Sequence, residues 1–273
     1  KVANLPLYQL IGGAHRQHIP VYGYGMMLRP EPLEDLTVRF KEEARAIKDM
    51  GFVATKMKVG LGPRADIKLA EAVRRGIGDD FRFMVDANHC YTTSDAFEVG
   101  RALEDLDAYW FEEPIAPEDL QGYRELRAGL NVNISGGEAE FNRWGWRSLL
   151  ESRGLDIAQP EVCALGGISE YLRVLALCHA HFTPVVNHVW GSAVAVATNM
   201  HLLASMPDLP GGMNPWEPML EFDTTDNKFR DELLETPLEI QAQVARTNGY
   251  IALPEGPGLG ITPDRDFLQY FAL

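Results

Sequence analysis

Three acidic residues of the sequence follow short apolar runs at an even spacing. Asp86, Glu112 and Glu138 are each 26 residues apart. Carboxylates held close together repel one another unless a cation lies between them, and hard oxygen ligands favour Mg²⁺ over Zn²⁺. We therefore expect these three side chains to bind Mg²⁺, although each of them alone would be interpreted as a surface acid. Glu113 faces the opposite side of its strand and is not expected to be an equal ligand.

Two lysines and one histidine could transfer protons. Lys56 and Lys58 are separated by one residue, so both ammonium groups lie on the same face of a strand. Two adjacent cations beside a metal ion lower each other's pKa, which can make a lysine a base near neutral pH. His188 also ends an apolar run, and Glu161 can orient and charge its imidazole. The alternatives are an exposed lysine pair and a structural histidine.

These positions belong to a longer series of polar residues with intervals of 23 to 29 residues. The series is Lys58, Asp86, Glu112, Glu138, Glu161, His188 and Glu217. Each member lies at or just after the end of a predicted strand, and amphipathic helices are predicted between nearly all of the strands. The predicted strands are 19–24, 54–58, 83–85, 109–111, 133–135, 156–158, 184–187 and a weaker one at 212–216.

Eight strands alternating with helices predict a parallel sheet with right-handed crossovers, and at this length a closed TIM-type (β/α) barrel. We expect one barrel domain over residues 1–273 with a C-terminal extension. In a barrel the polar series meets at the C-terminal mouth, where catalytic groups gather. A doubly wound open sheet is the alternative, but its phosphate-binding fingerprint is missing. Gly256, Gly258 and Gly260 follow a proline, and we interpret them as a turn.

The composition narrows the possible partners. The chain has 273 residues with 25 basic and 39 acidic side chains, a net charge of −14. Such a surface repels nucleic acids and anionic lipids, and no apolar run approaches the roughly 20 residues of a membrane span. The three cysteines form no CxxC pair and are expected to be free thiols in the cytoplasm. We also expect a homo-oligomer.

Several short motifs together resemble one family. They are ThrLysMetLysVal at 55–59, ValAspAlaAsn at 85–88, TrpPheGluGluPro at 110–114, GlyGlyGlu at 136–138, AlaGlnPro at 158–160, GlyGlyIle at 166–168 and AsnHisValTrpGly at 187–191. In order and spacing this set resembles the enolase superfamily, mandelate racemase/muconate lactonizing enzyme family, mandelate racemase subgroup. The resemblance covers nearly the whole chain. It implies an enolase-superfamily C-terminal barrel.

The resemblance also implies roles for individual residues. The Mg²⁺ ligands would be Asp86, Glu112 and Glu138. Lys58 and His188 would be acid/base groups on opposite faces of the substrate, with Lys56 tuning Lys58 and Glu161 paired with His188. Glu217 would hydrogen-bond the substrate carboxylate as negative charge develops on it. Residues expected to contact the substrate are Asn88, His89 and Trp190.

The sequence departs from the family pattern in two places. Glu161 stands where the family usually has the shorter Asp. The family also carries an N-terminal α+β capping domain that closes the site, and we expect this domain to be absent from this chain.

The reaction implied by the resemblance begins with abstraction of the α-proton of a carboxylate, with Mg²⁺ stabilising the enolate. The expected substrate is a small acid sugar, an aldonate or aldarate. Dehydration is the first expectation because it is common in the subgroup. Galactarolactone-type cycloisomerisation is the second, since the stretch 214–223 favours it, and racemisation or epimerisation stays open. A barrel that binds sugar acids without turnover would have an incomplete site, whereas here every group is present.

Overall fold

The computed structural model describes residues 1–209 and 216–272. Its strands are β1 His18–Tyr24, β2 Ala54–Lys58, β3 Arg82–Asp86, β4 Trp110–Glu112, β5 Asn133–Gly136, β6 Ile157–Ala158, β7 Leu220–Asp223 and β8 Tyr250–Ala252. Its helices are α1 Leu7–Leu10, α2 Leu33–Asp49, α3 Pro63–Ile77, α4 Thr93–Asp105, α5 Leu120–Gly129, α6 Asn142–Ser152, α7 Val162–Leu165, α8 Ile168–Ala180, α9 Ala193–Ser205, α10 Lys228–Asp231, α11 Ile240–Thr247 and α12 Arg265–Tyr270.

The strands form a parallel barrel, as the alternation of strands and helices predicts. Neighbouring strands follow the order β6-β5-β4-β3-β2-β1-β7, and β8 adds to β1 in the antiparallel sense. Side chains alternate between the two faces of each strand. The inward residues form a separate apolar cluster that includes Tyr22, Met84, Trp110 and Met219. This core fills the barrel beneath the C-terminal ends of the strands.

Amphipathic helices cover the outside of the barrel. In α2 the buried residues Leu36, Phe40, Ala44 and Ile47 recur every three or four positions, which places them on one face. Helix α4 begins after Thr92, whose side chain accepts a hydrogen bond from the Asp95 amide. Among the helices of residues 1–209 and 216–272, none has the length and apolar character needed to cross a membrane.

The last two strand positions of the barrel differ from the sequence prediction. The predicted strand at 184–187 is reduced to one bridge between Val185 and Ala158. Residues 212–215 of the predicted eighth strand lie outside the described residues, and the strand paired with β1 is β7. Leu220 and Phe222 pack outward in the main core, which turns the intervening Glu221 inward. The Val189 amide donates to Glu221 Oε2 at 2.8 Å and so links these two parts of the wall.

Candidate active site

The strand register brings the charged residues of the sequence series to one end of the barrel. Lys58 of β2 lies opposite Asp86 of β3, and Asp86 lies opposite Glu112 of β4. A cavity of about 480 Å³ opens at this end. Its polar lining residues are Lys58, Asn88, Glu138, His188 and Trp190.

The three carboxylates at the ends of β3, β4 and β5 form a compact group. Asp86, Glu112 and Glu138 each offer a carboxylate oxygen within 4.8 Å of the other two. Asp86 and Glu112 are fully buried, and the buried Oε2 of Glu138 has no hydrogen-bond partner among the described residues. Buried carboxylates gathered in this way require positive charge, and all-oxygen ligands suit a hard divalent cation. The residues therefore fit a site of this kind.

Both carboxylate oxygens of Glu112 accept hydrogen bonds. Its Oε1 accepts a hydrogen bond from Lys56 Nζ at 2.5 Å, and its Oε2 accepts from Trp110 Nε1 and Gln159 Nε2 at 2.9 and 2.8 Å. Burial and the neighbouring charge of Asp86 raise the pKa of Glu112 to about 8. Burial also raises the pKa of Glu138. Both pKa values are raised because ionising several buried carboxylates close together is unfavourable, and a bound cation would reduce this penalty.

Lys56 is the cation at the centre of the acidic cluster. Its Nζ lies 2.5 Å from Glu112, 2.7 Å from Glu221 and 3.3 Å from Asp86. Burial lowers the pKa of Lys56, but the charges of Glu112 and Glu221 outweigh this effect and hold it well above its ordinary value. The protein's own groups therefore raise the pKa of Lys56, whereas the depressed pKa expected from the sequence was that of the lysine pair beside a metal ion. The surrounding carboxylates keep it an ammonium ion.

Lys58 reaches the cavity with contacts that differ from those of Lys56. Its Nζ donates to Asp86 Oδ2 at 2.5 Å and to Asn88 Oδ1 at 2.7 Å, and 15% of its side chain is exposed. The backbone N–H of Asn88 in turn donates a hydrogen bond to Asp86 Oδ1 at 3.0 Å. Lys58 is thus the lysine of the pair that an incoming ligand can contact.

A histidine–carboxylate pair stands at the same mouth. His188 Nδ1 lies 2.9 Å from Glu161 Oε2, and His188 Nε2 lies 3.2 Å from Glu138 Oε2. The other oxygen of Glu161 accepts a hydrogen bond from the Cys163 amide at the start of α7, so the longer Glu arm is fixed and still reaches the imidazole. Burial lowers the pKa of His188, whereas the bond to Glu161 and the charges of Glu221 and Glu138 raise it, to about 9 overall.

The structure does not bring Glu217 to this site. Glu217 is exposed and lies near Tyr250, whose pKa its charge helps to raise, and Tyr250 pairs with Pro20 near the start of β1, at the opposite end of the barrel. The inward carboxylate of the last parallel strand is Glu221, which is 2% exposed and contacts Lys56 and the Val189 amide. The alternation of Leu220, Glu221 and Phe222 is the sequence signal that could have found it.

The remaining expected site residues lie around the rim. Asn88 and Trp190 line the cavity. His89 is partly exposed and makes a close contact with Glu113, which is fully buried and is not a member of the acidic triad. Asn88, His89 and Glu113 all adopt positive φ angles, a conformation that is uncommon for residues other than glycine and that clusters at functional sites.

The sequence matches the model of the Enolase C-terminal domain-like family over residues 39–267. It is 38% identical over 267 residues to D-galactarolactone cycloisomerase of Agrobacterium fabrum, with 97% of this chain and 68% of that protein covered. It is 33% identical over 263 residues to arabinonate dehydratase of Saccharolobus solfataricus, with 96% and 65% covered. The chain thus spans about two thirds of the length of these relatives.

Solved structures agree with the sequence relatives. The 3,6-anhydro-D-galactonate cycloisomerase of Zobellia galactanivorans superposes with a TM-score of 0.85 at 37% identity and covers 99% of this chain and 70% of its own. A mandelate racemase/muconate lactonizing protein of Paracoccus denitrificans, complexed with magnesium, gives a TM-score of 0.83 at 30% identity, covering 98% and 70%. Barrel, motifs and relatives all agree that this chain belongs to the Enolase C-terminal domain-like family of the enolase superfamily.

Proposed function

We propose that this protein binds Mg²⁺ and removes the α-proton of a carboxylate substrate, most simply an acid sugar that it then dehydrates. The observation that carries the proposal is the meeting of a buried acidic triad, Lys58 and the His188–Glu161 pair at one cavity. Relatives named as dehydratases and cycloisomerases of sugar acids support the substrate class.

The proposed metal ligands are Asp86, Glu112 and Glu138. Bound there, Mg²⁺ would supply the positive charge that stabilises an enolate formed from the substrate carboxylate. Lys56 keeps Glu112 and Asp86 in place, since it contacts both from within the barrel. The magnesium complex of the Paracoccus denitrificans protein supports this choice of ion.

Two groups are proposed to move protons. Lys58 accepts the α-proton in its neutral amine form, because its Nζ reaches the cavity and has fewer carboxylate partners than Nζ of Lys56. His188 is protonated near neutral pH because its pKa is raised to about 9, so it donates a proton to the leaving β-hydroxyl. Glu161 maintains that charge and fixes the ring.

Glu221 takes the place that the sequence suggested for Glu217. In this structure Glu221 accepts hydrogen bonds from Val189 and pairs with Lys56. The ammonium group of Lys56, 2.7 Å away, neutralises the Glu221 carboxylate, which in its ionised form accepts hydrogen bonds and does not donate them. We propose that this pair faces the negative charge that develops on the substrate.

Cycloisomerisation of a sugar-acid lactone is the second candidate. It is favoured by the 38% identity to D-galactarolactone cycloisomerase and the 37% identity to the Zobellia galactanivorans enzyme. Both reactions begin with the same proton abstraction. They differ in the bond that breaks next: dehydration breaks the bond to the β-hydroxyl, and cycloisomerisation opens the lactone ring. The same two acid/base residues serve both reactions.

The function is tested by incubating the purified protein with a panel of aldonates, aldarates and their lactones. We expect a 2-keto-3-deoxy product from at least one acid sugar, loss of activity with EDTA and recovery with added Mg²⁺. Glu138→Gln removes one proposed ligand and should reduce turnover severely, whereas Glu140→Gln, two residues further along the same loop, should not. Full activity of the metal-free protein would refute the mechanism.

The cysteines support a reducing compartment, and we propose the cytoplasm. Cys90 and Cys163 are exposed, Cys178 is buried, and all three are free thiols. Protein isolated from cells without reductant and then denatured should be labelled at all three cysteines by a thiol reagent. An intermolecular disulfide in that protein would contradict this location.

A further inference from the structure

Tyr24 ends the first strand of the barrel beside the charged cluster. In the sheet it lies opposite Lys56 of β2 on one side and Asp223 of β7 on the other. Gly23 packs outward against Ile47 and Phe52, so Tyr24 faces the barrel interior. Its side chain is almost fully buried, with 1% of the residue exposed.

The ring of Tyr24 contacts residues that line the cavity. Lys56 Nζ and Lys58 Nζ lie 5.4 and 5.9 Å from the ring centroid, within the range of cation–π contacts. The Trp190 ring packs against it with centroids 5.8 Å apart. Tyr24 therefore joins the lysine pair to Trp190 on the first-strand side of the mouth.

The hydroxyl of Tyr24 is buried and has no hydrogen-bond partner among the described residues. A buried hydroxyl without a partner is unfavourable, so such a group at a ligand site is expected to find its partner in the ligand. Burial and the negative charges of Glu221 and Asp223 raise the pKa of Tyr24 well above its ordinary value. The phenol therefore keeps its proton and can donate it to an anionic acceptor.

We propose that Tyr24 is a substrate-binding residue whose hydroxyl donates a hydrogen bond to the bound carboxylate substrate while its ring contacts the Lys56 and Lys58 ammonium groups. The inference rests on the proposed function, because it assumes that a carboxylate enters this cavity. It adds the first strand to a site that is otherwise built from β2 to β7.

Tyr22 offers a matched control on the same strand. It faces the same side of β1 as Tyr24, is fully buried, and also has an unpartnered hydroxyl. Tyr22 lies one layer deeper, packed edge-on against Trp110 in the interior apolar cluster at a centroid distance of 5.5 Å. Removing its hydroxyl deletes the same atom without altering the cavity.

The test measures binding of oxalate, a dianion without an α-proton, to the Mg²⁺-loaded protein by calorimetry. We expect Tyr24→Phe to raise the Kd about tenfold, the effect of losing a hydrogen bond to a charged group. Tyr22→Phe should stay within about twofold of wild type. An unchanged Kd for Tyr24→Phe, or an equal loss for Tyr22→Phe, would overturn the assignment. If oxalate fails to bind the wild-type protein, the proposed function falls and this inference falls with it.

Steady-state kinetics on the substrate that wild type turns over gives a second readout. Tyr24→Phe keeps the ring and should mainly raise KM, whereas Tyr24→Leu also removes the contacts to the lysines and should lower kcat as well. A merely structural role would instead lower the melting temperature of Tyr24→Phe and leave KM unchanged, which would contradict substrate binding.

Discussion

Replacing Lys56 by Met should destabilise the fold strongly while leaving the shape of the side chain nearly unchanged. Lys56 is 1% exposed, and its ammonium group lies 2.5 to 3.3 Å from three buried carboxylates. Removing one partner of a buried ion pair costs about 3–5 kcal/mol because the remaining charge is left uncompensated. We expect a loss of this size in the free energy of unfolding of the metal-free protein at neutral pH.

The loss should depend on pH with a definite sign. Without Lys56 the pKa of Glu112, already raised to about 8, rises further above its unfolded value. A group whose folded pKa is raised contributes stability at low pH that is lost as pH increases towards the folded pKa. Between about pH 4.5 and 8 folded Glu112 is protonated in both proteins, so both lose stability alike; the difference in unfolding free energy between Lys56→Met and wild type should grow above about pH 8, where Glu112 ionises in the wild type and stays protonated in the variant.

Urea unfolding at several pH values, in the presence of EDTA, measures this difference. Lys58→Met is the matched control, because Lys58 is partly exposed and solvent screens its pair with Asp86. We expect a distinctly smaller loss for the control. If Lys56→Met unfolds within about 1 kcal/mol of wild type at neutral pH, Lys56 does not neutralise the acidic cluster and the reasoning is refuted.

Three further substitutions test carboxylates that the sequence or the structure assigns to the site. Glu161→Gln keeps a hydrogen bond to His188 but removes the charge, so turnover should fall roughly 10²-fold and the alkaline limb of the pH–rate profile should move to lower pH, because His188 loses its proton sooner. An unchanged pH–rate profile would show that Glu161 does not influence proton transfer by His188. Glu221→Gln should reduce kcat severely, whereas Glu217→Gln at the far end of the barrel should behave like wild type, and kinetics of the two variants decides between the structural and the sequence assignment.

Much of the site follows from the sequence because parallel strands place residues by simple geometry. The alternation of strand faces and the spacings of 28 and 26 residues put Lys58, Asp86 and Glu112 at matching heights, and the sheet register pairs them directly. The pairing of His188 with Glu161 follows in the same way from adjacent barrel positions. The site residues that follow regular strands could therefore be predicted from the sequence.

The prediction failed where that regularity ends. Strand β7 begins at Leu220, later than the predicted strand at 212–216, so the spacing pointed to Glu217 instead of Glu221, which lies 33 residues after His188. The raised pKa of Lys56 could not be predicted from the sequence for a different reason. The sequence shows Lys58 beside it, but only the folded chain shows that Glu112, Glu221 and Asp86 surround its ammonium group and outweigh the second lysine.

The most direct test of α-proton abstraction is the exchange of substrate α-hydrogen for deuterium in D₂O, followed by NMR on the Mg²⁺-loaded protein. We expect the wild type to exchange the α-proton of an acid sugar, Lys58→Ala to lose this exchange, and His188→Asn to keep the exchange but lose the dehydrated product, because His188 donates the proton to the leaving hydroxyl. Exchange by Lys58→Ala at the wild-type rate, or wild-type formation of the dehydrated product by His188→Asn, would contradict the assignment of Lys58 as the base and His188 as the acid. No exchange by the wild type with any acid sugar tested would contradict the proposed reaction itself.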